Sequence, residues 1–265
     1  MSNSLSLEKG LHILGLLKSS NEALGVREIA RRLDLSPAVA QRMLNTLASQ
    51  GYVEQDADTR RYQIGYAVLG LAQHVFQRGR LLSLTEAELQ TMASESGFNG
   101  FLGVRRGATG VYVLGVQSDS PVVIRAQPGE VMPLHSTALG KALLFNLSDE
   151  AVANLLGEGP FESRTSRTLT NLQGLIEQLH LAHSLGYTTA ISENIEGVIS
   201  VGAPIYDAGG GTIAAMSVAF PRALQPKTKI TDIAQKVLGA AARISKAMGF
   251  DETTSSKGRP ETDVA

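Results

Sequence analysis

Gln41, Arg42 and Asn45 carry the groups that read base edges in a duplex: side-chain amides match adenine N6 and N7, and a guanidinium matches guanine O6 and N7. With Ala38 they follow i, i+3, i+4, i+7 spacing, so a helix would present all four on one face. The plainer reading of such a stripe is a solvated helix face. A second constellation is Leu134-His-Ser-Thr-Ala-Leu-Gly-Lys141, a loop entering a helix whose first N–H groups lack partners. Those donors, the helix dipole and the Ser136 or Thr137 hydroxyl suit a carboxylate; simple capping by Ser136 is the competing explanation.

Other chemistries are weaker. His135 beside Ser136, with Asp119 nearby, invites comparison with a hydrolytic triad, but there is no G-x-S-x-G elbow and adjacent residues rarely reach the needed geometry. Gly140-Lys141 fails as a phosphate loop, because His135 stands where a glycine is required and Ala142 where Ser or Thr would hold magnesium. His180 and His183 have a spacing zinc tolerates, with His135 as an imaginable third ligand, yet two such histidines are more often surface residues. Gly209-Gly210-Gly211 reads as a hairpin turn. No catalytic residue, metal or cofactor is expected.

The elements needed to position the first stripe are legible. Ser6 to Leu17 reads as a core helix with Leu7, Leu11 and Leu14 inward and Ile13, Leu16 and Leu17 widening the stripe. Val26, Ile29, Ala30 and Leu33 mark a second helix with Arg27, Glu28, Arg31 and Arg32 outward. Asp34-Leu-Ser-Pro37 is the turn, Ser36 an N-cap and Pro37 a suitable first helical residue. In the third helix Ala40, Met43, Leu44 and Leu47 bury and leave the polar stripe outside. Gly51 ends it, and residues 52–55 and 61–64 form a hairpin with Arg60 and Arg61 at its tip, able to reach phosphates or a minor groove. This is a winged helix-turn-helix; a helix from Tyr66 to Arg78 follows, apolar enough to pack against a partner.

At 265 residues two domains are the default. Apolar residues at 43% and charged residues at 18% fit a folded protein without a bilayer span, and zero Cys excludes disulfides and thiolate metal sites, which suits a cytoplasmic location. The net charge of −1 hides an excess of two positive charges in residues 1–79 and of three negative charges beyond, too modest a contrast to decide for nucleic acid alone.

The remaining two-thirds mixes strands and helices without repeating βαβ units, indicating an α+β domain around an antiparallel sheet. Helices are expected at 84–96, 136–146, from Ser148 to Leu156, from Leu172 to Gly186 and at 232–248; strands at 99–105, 110–117, 122–126, 187–191, 198–206 and 212–220. Residues after Asp251 are polar and expected to be disordered.

Glu28-Ile-Ala-Arg-Arg-Leu, Arg42, Gly51-Tyr-Val-Glu and Tyr62-Gln-Ile-Gly resemble the N-terminal domain of the IclR family of transcription regulators. Pro133 to Leu144, Thr168-Leu-Thr, Gly186-Tyr, Glu193-Asn, Gly197-Val and Ala203-Pro-Ile-Tyr-Asp-Ala-Gly-Gly resemble its effector-binding half in the same order, from Leu5 to Phe250 overall. The resemblance implies a winged helix-turn-helix domain (5–65), a linker helix (66–79), a GAF-like effector-binding and oligomerisation domain (80–251) and a tail (252–265). The DNA-facing set becomes Arg27, Ser36, Ala38, Gln41, Arg42, Asn45, Arg60 and Arg61. The effector pocket falls on Ser136, Thr137, Ala138 and Leu139, on Ile124 and Met132 from a neighbouring strand and loop, and on Ala190, Ser200, Ser217 and Ala219 from later strands.

Two departures from the family pattern matter. Ala38 and Val39 replace small hydroxyl residues at the start of the third helix, leaving thymine-methyl contact or packing. Ala190 replaces an acidic residue of several relatives and Ala219 a serine, so the pocket is less polar and suits an aromatic acid better than glyoxylate. The expected protein is a ligand-responsive repressor of a catabolic operon, a dimer or tetramer on palindromic double-stranded operator DNA with a small organic acid as effector and no membrane partner. The alternatives are a small-molecule-binding enzyme or hydrolase with an accessory winged-helix interaction module, or a protein- or RNA-binding module; the third helix lacks the aromatics that stack single-stranded bases.

Overall fold

The computed structural model describes residues 4–20, 22–77 and 79–251, with backbone alone over 73–77. It divides into two compact units at Gly79 and Arg80. The reading of residues 252–265 as a disordered tail lies outside the described residues.

The first unit holds α1 (Leu5–Ser19), α2 (Val26–Arg32), α3 (Pro37–Ser49), β1 (Val53–Gln55), β2 (Tyr62–Ile64) and α4 (Ala67–Gln77). Its core is Ile13, Leu17, Leu24, Ile29, Leu44, Val53 and Tyr62. Leu7 and Leu11, expected inside, are 64% and 58% exposed. Helical periodicity does not say which apolar stripe meets the core, and here the stripe through Ile13 and Leu17 does so. The α2–α3 turn places Asp34 at φ 52°, a left-handed position a short polar side chain tolerates. Ser36 then caps α3, its Oγ accepting from Val39 N at 3.3 Å, with Pro37 at the first position. β1 and β2 pair antiparallel, Glu54 opposite Gln63, across the turn that carries Arg60.

The second unit contains α5 (Arg80–Ser96), β3 (Asn99–Arg106), β4 (Thr109–Val116), β5 (Val131–Met132), α6 (Ala138–Leu143), α7 (Asp149–Leu156), α8 (Leu172–Leu185), β6 (Thr188–Ile191), β7 (Val198–Tyr206), β8 (Thr212–Pro221) and α9 (Ile230–Ala247). The six strands form one antiparallel sheet in the order β5-β4-β3-β8-β7-β6. Period-two alternation sorts each strand between two layers. Along β8, Ala214, Met216, Val218 and Phe220 join the core with α5 and α9, while Ala215 and Ala219 join the core with α6 and α8. Along β7, Ile199, Val201, Ala203 and Ile205 take the first side and leave Ser200 and Gly202 on the second.

Two sequence expectations fail in this unit. Residues 122–126 run as coil, and the strand that pairs with β4 on its outer edge is the two-residue β5; strand-like composition does not by itself fix a pairing partner. The helix expected at 136–146 is only Ala138–Leu143, and its cap is Thr137, whose Oγ1 accepts from Gly140 N at 2.9 Å, in place of Ser136. α6 sits close to the sheet. A Cβ on Gly202 would lie 2.8 Å from Ala138 O, and one on Gly140 2.6 Å from Leu134 Cα, so both glycines are there for close backbone approach.

Candidate functional site

The outer face of α3 is available. Ala38, Arg42 and Asn45 are exposed and Gln41 is half-buried. Gln41 Nε2 donates to Asn45 Oδ1 at 2.7 Å and to the Tyr62 hydroxyl at 2.9 Å, so both its N–H donors are spent inside the domain. That arrangement ties α3 to β2 and orients Asn45, leaving Arg42 and the Asn45 amide N–H groups as the donors facing outward. Among the described residues the guanidinium groups of Arg27, Arg31, Arg42 and Arg60 have no partner. Arg61, expected at the tip with Arg60, instead turns back, donating to Ala23 O at 2.8 Å and lying 3.9 Å from Glu28. Glu28 also holds Arg32 at 2.6 Å. The wing thus offers Arg60, at φ 57°, more freely than Arg61.

In the second unit a cavity of about 240 Å³ opens on the sheet face beneath α6. It gathers Ile124, Met132, Thr137, Ala138, Leu139, Ala190, Ser200, Ser217 and Ala219 from six separate stretches of chain. Ser136, grouped with them from the sequence, does not line it: its Oγ donates to Asn194 Oδ1 at 3.3 Å, because α6 starts two residues later than expected. Thr137 lines the cavity but is already engaged, donating to Pro133 O at 3.0 Å and capping Gly140.

Residues that the sequence does not single out complete the walls. They include Phe101, Tyr112, Arg125, Glu130 and Arg164, joined by Asn194 of the Glu193-Asn motif. Phe101 and Tyr112 were recoverable in principle, since both sit at the correct parity on neighbouring strands, and their rings lie 5.6 Å apart. Arg125 and Arg164 come from coil segments and carry no such signal. The cavity crosses the sheet from Ala190 on β6 to Tyr112 on β4, and its polar groups divide accordingly: Ser200 and Ser217 lie on the central strands, Tyr112 toward the other edge. These three hydroxyls have no hydrogen-bond partner among the described residues. Burial pushes the Tyr112 phenol up to about 12, with Glu130 adding to the shift and Arg164 opposing it, so at neutral pH it is a hydrogen-bond donor.

The rival chemistries meet other arrangements. His135 Nε2 bonds Glu162 O at 3.0 Å and its ring packs 5.0 Å from Phe161, while Ser136 faces Asn194, so the pair forms no nucleophile and base. Facing a carbonyl, Nε2 carries the proton, and burial holds the imidazole below its usual value despite that bond. His180 pairs with Asp149 at 2.9 Å and His183 with the Phe145 carbonyl. Lys141, 1% exposed, is directed away from the cavity onto Glu193. No helix of the described residues is long and apolar enough to cross a membrane.

Comparison with known proteins matches both units. Residues 6–57 match the profile of the IclR helix-turn-helix domain and residues 73–246 that of the bacterial transcriptional regulator IclR C-terminal domain. The chain is 28% identical to the HTH-type transcriptional repressor AllR of Escherichia coli strain K12, over 92% of this chain and 90% of that one. It is 29% identical to the HTH-type transcriptional regulator BhcR of Paracoccus denitrificans, over 92% and 87%. In fold it resembles an IclR transcriptional regulator from Alicyclobacillus acidocaldarius (TM-score 0.81, 21% identity, 94% of this chain and 100% of that one). It also resembles an IclR homologue from Microbacterium hydrocarbonoxydans solved with 4-hydroxybenzoate (TM-score 0.76, 20% identity, 92% and 98%). A winged helix with an outward polar stripe, a sheet domain with a cavity on one face and two matching profiles together place this chain in the IclR family of bacterial DNA-binding transcriptional regulators, which are not enzymes.

Proposed function

We propose that this protein represses a catabolic operon and releases its operator when a small aromatic acid occupies the cavity beneath α6. The observation that carries the ligand reading is the set of unpartnered Ser200, Ser217 and Tyr112 hydroxyls in a cavity that combines the apolar walls of Phe101, Ile124, Met132 and Leu139 with charged groups at Arg125, Glu130 and Arg164. These hydroxyls are open to the cavity and not sealed in the core, so a ligand whose polar groups match them gains oriented hydrogen bonds in exchange for solvent. About 240 Å³ is below the ~300–1,000 Å³ typical of drug-sized ligands, which fits a single ring with its substituents. Ala190 contributes no charge to repel a carboxylate, and Arg125 and Arg164 outnumber Glu130 on the walls. The 4-hydroxybenzoate bound by the Microbacterium homologue is a ligand of this chemical class.

On the DNA side, α3 enters the major groove with Arg42 and Asn45 toward base edges, and Gln41 braces Asn45. Arg27, Ser36, Ala38 and Arg60 supply phosphate, methyl or minor-groove contacts, while Arg61, engaged with Ala23 O and beside Glu28, braces the wing. One such helix reads only a few base pairs, so two copies act on a palindrome with half-sites one turn apart. Leu5, Leu7 and Leu11 on α1 and Tyr66, Leu69 and Leu71 around α4 are more than half exposed, an apolar surface in keeping with self-association. A thermal-shift screen tests the ligand class. Hydroxybenzoate-type acids should raise the melting temperature, and stabilisation by small aliphatic acids alone would reject the reading.

A further inference from the structure

Lys141 is among the most deeply buried large side chains of the protein, and its ammonium is fully bonded. It donates to Glu193 Oε1 at 2.9 Å and Oε2 at 2.7 Å, to Thr189 O at 2.7 Å and to the Gln178 amide oxygen. Four elements are thereby joined: α6, α8, β6 and the loop of residues 192–197. From the other side Thr168 Oγ1 donates to Glu193 O at 2.6 Å and Thr165 Oγ1 to Ser192 O at 2.5 Å. The same loop supplies Asn194 and Ile195 to the cavity wall, and Arg164, next to Thr165, supplies another part of it. Lys141 and Glu193 themselves do not line the cavity.

We propose that the buried Lys141–Glu193 pair is a positioning device that holds the 192–197 loop as a preformed wall of the cavity, and so sets affinity for the acid without touching it. The inference rests on the acid-binding reading above. Stability alone is a poor reason for such a pair: desolvating two charges offsets most of their attraction, and apolar replacements of similar size are often tolerated. Burial indeed pushes the Lys141 ammonium down, with Glu193 opposing that shift. What apolar side chains cannot supply is direction. A lysine bonded at once to a helix side chain, a strand carbonyl and both oxygens of one carboxylate fixes where the loop leaves β6. A wall fixed before binding removes an ordering cost from the ligand's affinity.

The test compares the full-length wild type with the Lys141→Met/Glu193→Leu double variant by two readouts. Peptide-resolved amide exchange should accelerate about tenfold or more across residues 192–197 and stay near wild type in α5 and α9. Calorimetric titration with 4-hydroxybenzoate and with benzoate should show Kd raised about tenfold at little change in melting temperature. Unchanged loop exchange, equal acceleration throughout the sheet domain, or a loosened loop with wild-type Kd would each overturn the proposal. Should the double variant not fold, Lys141→Met/Glu193→Gln, which removes both charges while leaving a polar amide at 193, is held to the same two readouts. If the wild type binds neither acid, the acid reading of the cavity fails, while the exchange measurement still decides whether the pair fixes the loop.

Discussion

Arg42 and Ser217 share one physical situation: each is a polar side chain that no other described residue satisfies, beside space another molecule can enter. Removing such a group should affect one partner and spare the other. Arg42→Ala is expected to weaken operator binding by about 1–3 kcal/mol, as for loss of a good base or phosphate contact, with acid binding unchanged. Fluorescence anisotropy on labelled operator, alongside calorimetry with the acid, checks both halves. Ala190→Asp returns a carboxylate to the cavity and should lower acid affinity about tenfold or more by like-charge repulsion, without loss of operator binding in the absence of ligand. His135 gives a pH signature. Burial lowers its folded-state value below the ordinary 6.5, so between the two values the unfolded chain binds more protons and stability falls as pH drops below about 6.5. Melting curves from pH 5 to 7.5 should therefore slope less in His135→Asn than in the wild type, and identical slopes would exclude His135 as the cause.

At the scale of elements, the caps and ties are local and their effects small. Ser36→Ala removes the α3 cap and should cost about 1 kcal/mol, read as a lower denaturation midpoint of the winged helix. Arg243 grips Glu88 with two bonds of 2.7 and 2.6 Å, linking α9 to α5, and holds the Glu88 carboxyl below its usual range. A depressed carboxylate stabilises above its unfolded value and loses that contribution as pH falls through the folded one; both side chains are partly exposed, so about 0.5 kcal/mol is expected. Much of this architecture was legible because apolar runs bounded by turn residues and period-3.6 stripes mark elements directly: β7 and β8 lie where strands were expected at 198–206 and 212–220, and Ser148 and Gly186 bound their helices. The failures have physical causes. An apolar stripe on α1 serves equally for a core or for a partner, so Leu7 and Leu11 were misassigned. The 122–126 run has strand-like composition, but strand pairing is a long-range property. Arg125 and Arg164 reach the cavity from coil, where no periodicity announces a side chain's direction, whereas Ser200, Ser217 and Ala219 could be placed because the family resemblance fixed their register.

At the scale of the whole molecule, a cavity in one unit matters to DNA only if the acid binds two global states with different affinities. A shift from mostly bound to mostly free operator needs several kcal/mol of such preference, shared across the sites of an oligomer. Two α3 helices in register with successive major grooves require half-sites about 34 Å apart. Inserting half a helical turn between them should therefore abolish tight binding, and inserting a full turn should restore part of it only if the linkage is flexible. The most direct measurement is an anisotropy titration of the purified full chain, at about 0.15 M salt, on the promoter fragment upstream of its own gene and on random duplex of equal length, each with and without 4-hydroxybenzoate. The account predicts a preference for the promoter of at least about a thousandfold, diminished by the acid on that fragment alone. Equal affinity for both duplexes, or a promoter preference indifferent to every aromatic acid tried, would contradict it.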